Sequence, residues 1–363
     1  MAQCIVKQVL RGTTTTAGAS VAVTLSPAVA DITKCIIFFS VKNDRSSVYD
    51  YATRANFDSV SQITFYRAGN TDTLSISWEV VEFTATSGIL VQHGSAALTA
   101  ASTSIVLGTA VNTATSWIML SWTRANTALN QTCFIKAKLT GGGANIQLDA
   151  YANPATCTCN YQVIQYDGCS VQTLELTNQN AQNATQAIST VDTTKTALFT
   201  SCAASLSQTY DETMIFRVTL DDATHVRYQK YGGAGNGFDI TTFVVSFTDS
   251  TLVDTYSATF ATTDSSISTT VTSRDRGVSV NHTKFCAARF LGDSDSATNN
   301  ATYAMFYSEM TSNTNVTVSR AGTGANSVVP FCVIAFLTTS TTWTGEPRTT
   351  GRGVMRGVGR GIM

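Results

Sequence analysis

Three histidines, His93, His225 and His282, are a small stock for catalysis in a chain of 363 residues. None stands at metal-ligand spacing from a second His or a Cys, and there is neither a Gly-x-Ser-x-Gly elbow nor a His-Glu-x-x-His pair. All three read as surface or turn residues. Cys157 and Cys159, with Cys169, form the one cysteine cluster. A structural zinc site wants two such pairs, or a pair with histidines, so ordinary thiols or one local disulfide are expected. The nine cysteines are odd in number, so at least one is unpaired or bonds another chain. Cys35, Cys133 and Cys332 lie in apolar strand patterns and read as small buried hydrophobes. Cys286 and Cys332 lie in two strands of the same unit and could pair if those strands are neighbours, small buried thiols being the plainer reading.

The remaining polar groupings are equally plain. The glycine-rich run from Tyr231 to Gly237 leads into a strand-like segment, so no helix N-terminus follows to hold an anion. Asp293 and Asp295 read as solvated carboxylates rather than calcium ligands. Tyr49, Tyr51, Tyr210, Tyr228, Tyr231 and Tyr303 lie in or near polar stretches, where a ring could stack on a sugar. No cofactor, metal or catalytic grouping is expected, and the chain reads as a non-enzyme.

What positions these residues is a repeat. Leu74 to Phe83 reads as a strand whose ending, Val, then Val or Ile, any residue, then an aromatic, returns three times. The pairs Val80/Phe83, Val163/Tyr166, Val244/Phe247 and Val333/Phe336 mark it, at intervals of 83, 81 and 89 residues. Such near-constant spacing identifies tandem units. A second landmark, Thr then Lys or Ser before an apolar run, falls at Thr33-Lys34, Thr115-Ser116, Thr194-Lys195 and Thr283-Lys284. Middle strands around 133–140 and 214–221 alternate apolar and polar. Each unit opens on a strand pair, such as Val9–Gly12 then Ser20–Leu25, and Arg67 and Arg320 mark turns into the closing strand. About six short strands per unit imply four small antiparallel β-sandwiches in a row, over 1–85, 86–168, 169–249 and 250–340.

Composition narrows the class. Charged residues are only 13% and the net charge is −1, so the surface is neutral and hydroxyl-rich, and nucleic acid is not drawn by a general field. No apolar run approaches the eighteen or so residues of a membrane helix, and the N-terminus shows no secretory pattern. A soluble protein made in a cytoplasm is expected. Residues 341–363 form a Gly/Arg arm with Trp343, Arg348, Arg352, Arg356, Arg360 and Met363. Its glycines disfavour a helix. It reads as an arm docking on a neighbouring subunit or partner, a nucleic-acid arm being disfavoured by the absence of interleaved aromatics.

The opening Val9-Leu10-Arg11-Gly12-Thr13-Thr14 and Leu90-Val91-Gln92-His93-Gly94, the Val191-Asp192-Thr193-Thr194-Lys195 before a core strand, and the closing Ser77-Trp78-Glu79-Val80-Val81-Glu82-Phe83 carry a resemblance. Together they resemble tandem repeats in structural proteins of tailed bacteriophages, themselves similar to the six-stranded H-type lectin sandwich. The resemblance spans roughly 5–337 and is clearest in unit one. It implies a virion protein, a fibre, collar or decoration subunit that contacts other virion proteins and forms homo-oligomers, trimers above all. A lectin-like role, recognising host surface glycan, is the alternative; none of the lectin's sugar-binding residues can be matched to positions here.

Overall fold

The computed structural model describes residues 3–43, 52–67, 72–98, 100–124, 134–150, 157–179, 181, 183–204, 216–230, 237–273, 277–281, 288–289, 306–324 and 326–338. Unit one is β1 (Val6–Thr16), β2 (Ser20–Thr24), β3 (Cys35–Asn43), β4 (Thr53–Ser59), β5 (Gln62–Arg67) and β6 (Leu74–Phe83). Unit two is β7 (Ile89–Leu98), β8 (Ser102–Val106), β9 (Ser116–Arg124), β10 (Ile135–Thr140), β11 (Asn145–Ala150) and β12 (Cys157–Tyr166). Unit three is β13 (Cys169–Gln179), β14 (Asn183–Ala187), β15 (Thr196–Ala204), β16 (Phe216–Asp222), β17 (His225–Lys230) and β18 (Phe238–Phe247). Unit four is β19 (Leu252–Phe260), β20 (Ser266–Thr270), β21 (Gly277–Asn281), β22 (Ala288–Arg289), β23 (Tyr307–Ser312), β24 (Asn315–Ser319) and β25 (Ser327–Ala335).

Every unit has two antiparallel sheets. One places the closing strand centrally, as β1-β6-β3, β7-β12-β9, β13-β18-β15 and β19-β25-β21, with β22 also pairing β25. The other is β2-β5-β4, β8-β11-β10, β14-β17-β16 or β20-β24-β23. The two opening strands of each unit therefore belong to different sheets and do not pair with each other. Central strands are buried on both faces, which is why their sequence runs apolar instead of alternating. Val80, Val163, Val244 and Val333 are all fully buried. The outer strands β2, β8, β14 and β20 alternate exposed and half-buried residues and carry no charge.

Local chemistry sets the corners. A 3-10 turn precedes the inner strand in units one to three, capped by Asp31, Asn112 and Asp192, whose side chains accept from the backbone N–H two residues on. The flanking landmark was legible as Thr-Lys in units one and three. In unit four it is displaced: β21 starts at Gly277, opposite Ala335, as Cys35 lies opposite Glu82. Thr283-Lys284 thus does not head the inner strand, and it lies outside the described residues. Gly12 and Gly94 hold equivalent places under a cross-strand aromatic: a Cβ would meet Trp78 at 2.8 Å in one and Tyr161 at 2.1 Å in the other. Arg67 and Arg320 are buried and tie the opening turn to the closing strand. Arg67 Nη1 donates to the Asp72 carbonyl at 2.6 Å, and Arg320 Nη2 to the Ala261 carbonyl at 2.7 Å.

The four sandwiches close into a ring and do not stand in a row. The second sheet of each unit packs on the first sheet of the next: β4 on β9, β10 on β15, β16 on β25, and finally β23 on β3 and β6. The first strand and the segment after the last strand meet at this seam, where Val6 N–H donates to the Leu337 carbonyl at 2.8 Å and Val6 bridges Thr338. The physical reason is burial: a unit this small hides a modest core by itself, and each covers its outer sheet face on its neighbour.

Candidate functional site

The ring has an axis built in tiers. Phe83, Tyr166, Phe247 and Phe336 meet there edge to face, consecutive centroids lying 5.9, 5.5, 5.9 and 5.3 Å apart around the four. The closing aromatic of the repeat thus faces the neighbouring units. Tyr166 keeps its hydroxyl satisfied by Asp249 Oδ2 at 2.8 Å, and burial raises its pKa. Below lie Ile36, Trp117, Ala197 and Val278, equivalent by register. Trp117 stacks on Phe199 at 5.4 Å, the small Ala197 making room as mixed sizes do in a tightly filled layer. The third tier is Phe38, Met119, Phe199 and Val280.

Beside the third tier is a cavity of about 90 Å³, lined from all four units by residues 37–40, 118–121, 199–201 and 279–280 with Gln162 and Ser308. Small-molecule sites occupy roughly 300–1,000 Å³. This gap has room for a few water molecules only, and Ser40, Ser121, Ser201 and Gln162 in its lining are engaged in holding strands.

Those polar side chains carry the contacts between units. Ser121 Oγ accepts from Ala55 N–H at 3.4 Å, Ser201 Oγ from Ala137 N–H at 3.0 Å, and Ser40 Oγ from Ser308 N–H at 2.9 Å. The three serines occupy the same register position. Gln162 binds unit one twice, accepting from Ile37 N–H and donating to its carbonyl, both at 2.8 Å. Glu79 is its counterpart in unit one: Oε2 accepts from Ser279 N–H of unit four at 2.9 Å. Arg11 Nε lies 3.6 Å from Glu79 Oε1, and Arg11 Nη2 donates to the Gly277 carbonyl at 2.8 Å. Burial pushes the Glu79 carboxyl up to about 7.

The candidates named from sequence distribute differently. His93 is not a surface residue: it is half-buried between units, its Nε2 within 3.1 Å of the Ile32 and Cys35 carbonyls and its ring edge-on to Phe57. Two carbonyls can only accept, so Nε2 carries the proton, and burial lowers the pKa. His225 is partly exposed on β17, its Nδ1 3.0 Å from Asp222 Oδ2. Tyr228 is no sugar platform, being buried with its hydroxyl on Thr242 Oγ1 at 3.0 Å. Cys157 and Cys159 are buried with sulfurs 4.0 Å apart and Cys169 stands elsewhere, donating to the Tyr166 carbonyl. Among the described residues no group of three or more His, Cys, Asp or Glu side chains is placed to hold a metal. Cys332 is a buried thiol opposite Val280 and Thr255, and Cys286, its expected partner, lies outside the described residues. Burial raises the pKa of Cys332, Cys35 and Cys169, and with it their resistance to reaction.

Cys286, His282, Tyr49, Tyr51, Tyr210, Tyr231, Tyr303, Asp293, Asp295 and the arm residues Trp343, Arg348, Arg352, Arg356, Arg360 and Met363 lie outside the described residues. Serine 40, 121 and 201, Gln162 and Glu79 escaped sequence reasoning. Their signal was a polar side chain at a fixed offset inside an otherwise apolar central or inner strand. No family model matches the chain, and no curated protein matches its sequence.

Proposed function

We propose that this chain is a non-enzymatic structural protein of a tailed-phage particle, a fibre, collar or decoration subunit, built as a rigid four-unit ring. The observation that carries the reading is where the repeat's characteristic residues go. The closing aromatics, the register-matched serines, Gln162 and Glu79 all face a neighbouring unit and hold it. Outward, the edge strands β2, β8, β14 and β20 present neutral side chains, mostly hydroxyl-bearing or small, with Asn183 and the exposed Val106 among them, suited to packing against other virion proteins. A homo-oligomer of such a protein would be assembled from whole rings, since each chain already satisfies the contacts between its own sandwiches. The arm from 341 to 363 docks the ring on its partner.

The test pairs the intact chain with one truncated after Thr338, which keeps the Val6 contact. Mass spectrometry of purified particles is expected to find the intact chain, and the truncated chain is expected to fold yet fail to join them. Absence of the intact chain from particles overturns the virion reading. Normal incorporation of the truncated chain overturns the arm. Glycan-array binding by the described ring would favour the lectin-like alternative, and release of reducing sugar from host polysaccharide would make it an enzyme.

A further inference from the structure

The ring has three seams bridged by continuous chain and one closed only by non-covalent contacts, between units four and one. At the seam between units one and two, Gln162 of β12 reaches across to β3 and satisfies both the N–H and the carbonyl of Ile37. At the open seam the equivalent residue is Glu79 of β6, and the equivalent strand is β21, where Ser279 matches Ile37. Glu79 takes the Ser279 N–H on Oε2, while its buried Oε1 accepts no hydrogen bond. An amide has both a donor and an acceptor for this place; a carboxylate has acceptors only. A protonated carboxyl regains the donor.

We propose that Glu79 is a proton-operated latch on the ring: protonated, it holds β21 as Gln162 holds β3, and ionised, it loosens the seam between units four and one. The groups facing it support the assignment. From β1 comes Arg11, 3.6 Å away and shared with the Gly277 carbonyl. From β3 comes Phe38, uncharged, directly opposite. β23 packs on β6 at this seam and carries Tyr307 and Glu309, bonded to each other at 3.0 Å. Along β6 itself Glu82 is already paired with Lys7 at 2.9 Å. Arg274, Asp275 and Arg276, which precede Gly277, lie outside the described residues. One partly satisfied guanidinium does not repay the desolvation of a buried carboxylate, consistent with its raised pKa. Because the folded pKa lies above the ordinary carboxylate value, the folded ring binds more protons than the unfolded chain between those values. Stability contributed here is present at low pH and lost as pH rises through about 7.

Hydrogen exchange of the full chain, corrected for intrinsic rates, tests this at pH 5.5 and 8.5. Protection of the Ser279 and Val280 amides is expected to fall by at least about tenfold as pH rises, one pKa unit's worth, while that of Ile37 and Phe38 does not fall. Glu79→Gln should abolish the fall. Gln162→Glu should transfer it to Ile37 and Phe38, which keeps the proposal testable if the first variant folds poorly. PH-independent protection of β21 in the unaltered chain sinks the latch, as does its persistence in Glu79→Gln.

Discussion

Ser40 and Ser308 join the first unit to the last by two hydrogen bonds: Ser40 Oγ donates to the Ser308 carbonyl at 3.1 Å and accepts from the Ser308 N–H at 2.9 Å. Ser201 treats Ala137 the same way across another seam. One small hydroxyl thus satisfies both backbone groups of an edge strand that would otherwise be buried unpaired. Ser40→Ala and Ser201→Ala should each cost about 1–3 kcal/mol, the usual penalty for orphaning a buried polar group. Ser104→Ala, on the exposed edge strand β8, should stay within about 0.5 kcal/mol. Urea denaturation midpoints at constant slope measure all three, and equal costs would remove the serines from the account of ring closure.

Around the axis the four closing aromatics contribute through area and through edge-to-face geometry. Phe83→Ala and Phe336→Ala should each lose about 3–5 kcal/mol, as buried Phe truncations do. Their rings sit 5.3 Å apart at 81°, so a double-mutant cycle should return a coupling of about 0.5–1.5 kcal/mol. Additive losses would mean the two rings stabilise their own sandwiches independently.

Gly94 leaves no gap between its backbone and the Tyr161 ring. An alanine there must displace the tyrosine, so Gly94→Ala should destabilise by about 1–3 kcal/mol, as overpacking does. In a Tyr161→Ala background the same substitution should cost little. Thermal melts of the two single variants and the double variant decide it, and an undiminished cost in the double variant would point to backbone strain instead.

The sandwiches themselves were legible because strand-length apolar runs and a recurring Val-x-x-aromatic ending report local burial directly. The closing aromatics announced the repeat without revealing that their rings face each other, since a central strand buried on both faces reads the same whichever neighbour covers it. The ring is a relation between strands some eighty residues apart or more, such as Val6 with Thr338, and no local pattern encodes it. The misplaced landmark in unit four has a plain cause. Thr283-Lys284 before Phe285-Cys286 copies the composition of the earlier turns, whereas the strand that takes the register begins after Arg274-Asp275-Arg276. Gln162 and Glu79 looked like ordinary polar positions in a strand. Only their equivalent bonds to Ile37 and Ser279 give them a role.

His93 titrates with the opposite sign from Glu79, and at a different seam. Its neutral ring donates from Nε2 toward two carbonyls of unit one and packs on Phe57. Burial outweighs those carbonyls and lowers its pKa from 6.5. The folded protein therefore binds fewer protons here than the unfolded chain just below that value. This group's contribution is complete above about pH 6.5 and is lost as pH falls through the folded pKa. Stability measured in urea should accordingly drop between pH 7.5 and 5.5 by more in the unaltered chain than in His93→Gln, whose amide can still donate to the same carbonyls. In the Glu79→Gln background the acid-side drop should be steeper, because the opposing gain from the carboxyl has gone. If His93→Gln follows the unaltered chain at both pH values, the imidazole is not the group that acid disturbs between units one and two.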